Sequence, residues 1–200
     1  MKHYWNKIVN DIVKTQMKLF FRAGGFHIFI GSFLTKFVAF FGSIVIIRVL
    51  SKSEYGLLSY IENLYNFAYI IAGLGLANAV LRYVVLEESL EGKGTVFDYI
   101  AKRSMCINII IVLILCIANY FYPHSQEFEN ARNLMYIIIF MLPAHYFVDN
   151  ELSLERALFN NKKYAYFSLV IAVLTVGYRF VGAEIDKVKG VLLAGIVTYA

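Results

Sequence analysis

Two long apolar runs separated by a short charged turn set the pattern of this chain. Phe26 to Ile47 carries a single charge, Lys36, and Leu57 to Leu81 carries a single charge, Glu62. Between them lies Arg48-Val-Leu-Ser-Lys-Ser-Glu-Tyr-Gly56. An α-helix rises about 1.5 Å per residue, so roughly 20 apolar residues cross the ~30 Å hydrocarbon core of a bilayer, and each run supplies that length. The pattern predicts a transmembrane hairpin over residues 26–47 and 57–81.

The periodicity on either side extends this picture. Trp5, Ile8, Val9, Ile12, Val13 and Phe20 recur at helical spacing, with Lys7, Lys14, Lys18 and Arg22 opposite them. That predicts a basic amphipathic helix over residues 1–22, lying in the membrane interface. After the hairpin, Tyr83 to Arg103 reads as a polar connector, and its Gly92-Lys-Gly-Thr95 reads as loop. The Gly-Lys-Ser/Thr triplet of a phosphate-binding loop is absent. Further spans are predicted over 104–122, with Asn108 and Asn119 as polar points, over 134–154, which contains Pro143, and over 164–183, which contains Arg179. A bundle tolerates a proline inside a span because neighbouring groups satisfy the freed carbonyl. A sixth helix opens at Gly190 and reaches only about half a spanning length by Ala200, so the protein is expected to continue beyond it. The fold class expected is therefore all-α, a polytopic transmembrane helix bundle over 23–200.

Composition agrees with lipid rather than water as the solvent. The chain is 60% hydrophobic and 16% charged, whereas soluble domains carry about 25% charged residues. The net charge of +5 fits basic cytoplasmic loops better than a nucleic-acid partner. With the N-terminus in the cytoplasm, Lys2, Lys7, Lys14, Lys18, Arg22, Arg82, Lys93, Lys102, Arg103, Arg156, Lys162 and Lys163 fall inside. Arg48, Lys52, Arg132, Arg179, Lys187 and Lys189 fall outside. This bias sets the expected orientation, with the first span acting as its own insertion signal. Cys106 and Cys116 share one apolar run and read as lipid-embedded thiols in a packed helix, not as a disulfide or a metal pair. His3, His27, His124 and His145 have no metal-ligand spacing, so no metal or cofactor is expected.

Charges inside spans are the candidate functional residues, because a charge at mid-bilayer costs ~2.5–3.5 kcal/mol on insertion scales. Lys36 lies at mid-span and either lines a cavity or pairs with Glu62 across the hairpin. Glu62 is also a candidate for proton or ion coupling. Arg48 and Arg82 cap the two ends of the hairpin, where a guanidinium suits either phosphate binding or interfacial anchoring. Arg179 lies near the outer end of its span. Asp149 and Glu151 match the spacing of a divalent-metal carboxylate pair, but as two acids at a helix end they read first as a water boundary.

The turn motif Arg48-Val-Leu-Ser-Lys-Ser-Glu-Tyr-Gly56 resembles the start of bacterial Wzx-type oligosaccharide flippases, of the multidrug/oligosaccharidyl-lipid/polysaccharide exporter superfamily. Gly73-Leu-Gly75-Leu-Ala-Asn-Ala-Val-Leu-Arg82-Tyr83 resembles that family's second helix. Leu154-Glu-Arg-Ala-Leu-Phe-Asn-Asn-Lys-Lys-Tyr164 resembles the loop before its fifth helix. The three motifs stand in the family's order and span most of the chain. The resemblance implies the first lobe of a two-lobe exporter in the cytoplasmic membrane, moving an undecaprenyl-diphosphate-linked oligosaccharide by alternating access. Lys36, Arg48, Arg82 and Arg179 would then be contacts for phosphate or sugar, and partners would be the lipid-linked oligosaccharide, membrane lipids and a polysaccharide polymerase. Other readings are a multidrug cation antiporter of the same superfamily, a polytopic glycan-handling enzyme and a non-transporting membrane scaffold. The enzyme reading suffers from the shortness of every loop.

Overall fold

The structure, a computed structural model, describes residues 25–123 and 130–199. The amphipathic segment expected over 1–22 lies outside the described residues. Helix α1 (Gly25–Val49) ends in a sharp turn, and α2 (Lys52–Ala72) begins at once. A capping box starts α2: the Ser51 hydroxyl accepts from the Glu54 amide at 3.3 Å, and the Glu54 carboxylate accepts from the Ser51 amide at 2.8 Å. These bonds satisfy amides that have no carbonyl partner within the helix. The Ser-x-x-Glu of the turn motif is therefore a helix start.

The second run is not one continuous helix. It breaks after Ala72 and resumes as α3 (Leu76–Leu86). Leu74 and Gly75 both adopt the left-handed conformation, with φ of 42° and 76°. Glycine accepts that backbone freely, whereas leucine does so at a cost.

Helix α4 (Leu90–Phe121) corrects the connector expected over 83–103, because Gly92 to Thr95 is helical. The Ser89 hydroxyl accepts from the Gly92 amide at 2.9 Å. Phe97 and Ile100 then bury against Val80 and Val84 of α3 and Ala157 of the next helix. A cap and an apolar stripe outweigh the low helix propensity of two glycines. Helix α5 (Ala131–Ala157) runs through Pro143 without ending.

Helix α6 (Asn161–Tyr199) contains a reversal at Asp186 and Lys187, whose backbone is non-helical. A Cβ built on Gly190 would overlap the Gly182 carbonyl and come within 3.0 Å of its Cα. Eight residues of straight helix span about 12 Å, so that contact requires two antiparallel arms, 161–185 and 188–199. The second arm returns into the bundle and buries Val188, Val191, Leu192 and Ala194.

Among the described residues, five helical stretches are long and apolar enough to cross a membrane: Gly25–Val49, Lys52–Leu86, Leu90–Phe121, Ala131–Ala157 and Asn161–Tyr199. No strand occurs among the described residues. The chain is an all-α, multi-pass membrane protein. Its central core joins Leu58, Ile61, Ile138, Ile139, Leu142 and Val191 from α2, α5 and the second arm of α6.

The expected hairpin does not pack on itself. Helix α1 instead packs mainly along α6. Gly31 meets Ala165 and Gly42 meets Val176 at the same sequence offset, so α1 and the first arm of α6 run parallel. Gly31 and Gly42 lie about three turns apart on one face, and small residues there let the backbones approach where lipid provides no hydrophobic drive. With α1 held by α6, a space opens between α1 and α2.

Candidate functional site

That space is a cavity of about 450 Å³, walled by α1, α2, α5 and both arms of α6. Lys36, Glu62, His145, Asp149, Arg179 and Tyr199 supply its polar chemistry, and Ser32, Thr35, Ser43, Ser168 and Thr175 add hydroxyls. On α1, Ser32, Thr35, Lys36, Ala39 and Ser43 recur at helical spacing, so one stripe of the helix faces the cavity. Alongside that stripe, and opposite the Gly31 and Gly42 face, α1 carries exposed Phe29, Phe33, Phe37 and Phe40, as a lipid-facing surface would.

Glu62 pairs with the Arg179 guanidinium. The alternative of a Lys36–Glu62 pair across the hairpin is thereby corrected. Helix α1 lies against α6, and the Arg179 side chain reaches Glu62 from there. Lys36 makes no ion pair among the described residues, and it is exposed to the cavity. The Thr35 and Ser168 hydroxyls nearby are buried without a partner.

Arg48 and Arg82 are not brought to this cavity. Arg48 is exposed at the end of α1, and Arg82 lies on α3 over the ring of Tyr83, at 5.8 Å. Asp149 and Glu151 do not form a joint metal pair, because residues two apart on a helix point to different sides. Asp149 faces the cavity and accepts a hydrogen bond from the Tyr69 hydroxyl. Its reading as a simple water boundary is corrected by that bond. Cys106 and Cys116 are free thiols on α4.

An aromatic and acidic network backs the cavity wall, and the sequence reading did not find it. Tyr65 and Tyr69 on α2 meet His145 and Asp149 on α5. Tyr65 bonds His145 at 2.9 Å, and Tyr69 donates to Asp149. Both pairs are 80 residues apart, so α2 and α5 run parallel with matched rungs. The His145 ring stacks on Tyr69 at 4.5 Å and on Tyr199 at 4.2 Å. The available signal was the i, i+4 spacing of Tyr-Tyr on one span and His-Asp on another, which places each pair on one helix face.

The break between α2 and α3 is built into the same network. At the break the Gly73 amide turns to the Ile71 carbonyl, which leaves the Tyr69 carbonyl without its usual helical donor. The Tyr146 hydroxyl donates to that carbonyl. A side chain at Gly73 would overlap the Tyr146 ring. Tyr146→Phe is expected to lower stability in detergent by about 1 kcal/mol, because the part-buried Tyr69 carbonyl loses its donor. A thermal melt checks it, and an unchanged midpoint would show that the carbonyl finds another donor.

The profile of polysaccharide biosynthesis proteins matches residues 21–199 of this chain. The chain belongs to the polysaccharide biosynthesis protein family. Nothing matches among curated proteins, and nothing matches among solved structures. The family match covers every wall of the cavity, from α1 to the second arm of α6. Membership gives the protein a role in making polysaccharide, and the fold places that role in a membrane.

Proposed function

We propose that this protein is a flippase that moves a polyprenyl-diphosphate-linked oligosaccharide across the bacterial cytoplasmic membrane by alternating access. One observation carries the reading: a cavity within the membrane-spanning bundle is lined by Arg179 and by Lys36, which has no carboxylate partner among the described residues. A cation left unpaired at that depth is costly unless an anion or water meets it. A diphosphate supplies such an anion, and the flanking hydroxyls and aromatic rings suit sugar. The task proposed is carriage without covalent chemistry, on behalf of a partner polymerase or transferase in surface-polysaccharide assembly.

The same observation disfavours a multidrug cation antiporter. Both cavity carboxylates have partners, Glu62 in Arg179 and Asp149 in Tyr69, while the cavity charge without an ion pair among the described residues, Lys36, is positive. Alternating access requires a second wall facing this one, as transporter repeats provide.

The test is complementation of a strain lacking the gene. Lys36→Ala is expected to abolish surface glycan at unchanged membrane level, whereas Arg48→Ala, outside the cavity, is expected to retain it. Equal glycan from both variants would remove the cavity lysine from the mechanism. The proposed orientation has the N-terminus in the cytoplasm. A reporter active only in the periplasm, fused after Ser53, is then expected to give signal, and silence there would invert the topology.

A further inference from the structure

A second cavity, of about 230 Å³, lies directly behind the first. Glu62, His145, Thr175, Arg179 and Tyr199 line both. The Glu62–Arg179 pair and the His145–Tyr199 stack therefore form the partition between two compartments. We propose that Glu62 is an internal stand-in for the ligand's phosphate: it holds Arg179 across the partition until a diphosphate displaces it. The inference rests on the reading of the cavity as a phosphate site and adds to it a counter-ion exchange.

The chemistry favours exchange over a fixed clamp. One Arg179 nitrogen bonds one Glu62 oxygen, whereas a guanidinium offers five donors and a phosphate accepts two in parallel. The pair is half-open, with side-chain exposures of 28% and 37%, so an anion in the larger cavity reaches it without unfolding the wall. Lys36 stands in the same cavity as a second cation. A diphosphate arriving there gains Lys36 first and then competes with a single carboxylate for Arg179. When the ligand leaves, Glu62 recovers Arg179, which prevents the site from retaining its cargo. Displacing the pair also opens the partition toward the second cavity.

Binding to the purified protein in nanodiscs tests this, with farnesyl diphosphate as the lipid probe and inorganic pyrophosphate as the free anion. Glu62→Gln is expected to tighten farnesyl diphosphate binding about tenfold, the order of one charge-assisted hydrogen bond no longer broken on binding. Glu62→Asp, which keeps the charge on a shorter arm, is expected to give a smaller gain and serves if the glutamine variant folds poorly. Arg179→Gln weakens binding, and Glu62→Gln with Arg179→Gln binds no better than Arg179→Gln alone. A parallel gain for pyrophosphate assigns the site to the phosphate group itself, and a gain confined to farnesyl diphosphate assigns it to a lipid headgroup. Either supports the exchange.

Unchanged or weaker binding in both Glu62 variants, with Lys36→Ala and Arg179→Gln still weakening it, would overturn the exchange and leave the phosphate site standing. Binding indifferent to Lys36 and Arg179 would overturn the phosphate site, and the exchange with it.

Discussion

Arg179→Ala is expected to abolish surface polysaccharide while the protein still reaches the membrane. The substitution removes a cavity cation and strands Glu62 on α2. Breaking a fully buried ion pair by removing one partner costs ~3–5 kcal/mol. Here the side chains are 28% and 37% exposed, so the cost to folding falls to about 1–2 kcal/mol after solvent screening. The functional loss should exceed that, because the ligand loses a phosphate contact at the point where the two cavities meet. Removing both charges, Glu62→Gln with Arg179→Gln, should restore stability and leave glycan absent. Surface glycan staining beside a membrane immunoblot separates the two effects. Restored glycan in the double variant would make the pair structural only.

Gly190→Ala is expected to prevent accumulation of folded protein altogether. The two arms of α6 touch through Gly182 and Gly190, and what a Cβ on Gly190 meets is backbone. Backbone cannot rotate away as a flexible side chain does, so the arms must separate. The second arm carries Val191 and Leu192 into the core and Tyr199 onto His145. Separation would uncover that core and dismantle one wall of the cavity, and overpacking alone costs ~1–3 kcal/mol before those losses. Gly195→Ala is the control, because its Cβ would meet the end of the flexible Met141 side chain at 2.7 Å. Monodisperse protein from Gly190→Ala in size-exclusion chromatography would contradict the packing of the arms.

How legible each feature was follows from the range of the forces behind it. Span length is a local property of the chain, and the hydrophobic runs around Lys36 and Glu62 announce their helices. The family motifs are equally local: Ser51 and Glu54 are three residues apart and cap one helix. The start of α4 was not legible, because Phe97 and Ile100 make it helical by meeting Val80, Val84 and Ala157. Gly73 and Gly75 were visible as flexible points, but the break between them depends on Tyr146 from another span.

The site shows the same division. Lys36, Glu62 and Arg179 stood out because charge within a span is rare, yet their pairing required knowing that α1 lies along α6. Arg48 and Arg82 carried the same chemical signal, and only the fold places them elsewhere. Asp149 was read with Glu151, as two acids at a helix end that mark a water boundary, and His145 was set aside because it lacks metal-ligand spacing. Their meaning comes from Tyr69 and Tyr65 on a parallel helix.

The central claim is that this cavity carries an anionic glycolipid through the bilayer. The most direct measurement is flipping in proteoliposomes that hold a fluorescent polyprenyl-diphosphate-linked sugar in both leaflets, read by quenching with a membrane-impermeant reductant. The account predicts that the intact protein exposes the inner-leaflet pool to the reductant and that Lys36→Ala combined with Arg179→Ala does not. Quenching confined to the outer leaflet with the intact protein, or equal inner-leaflet access in the double variant, would contradict it.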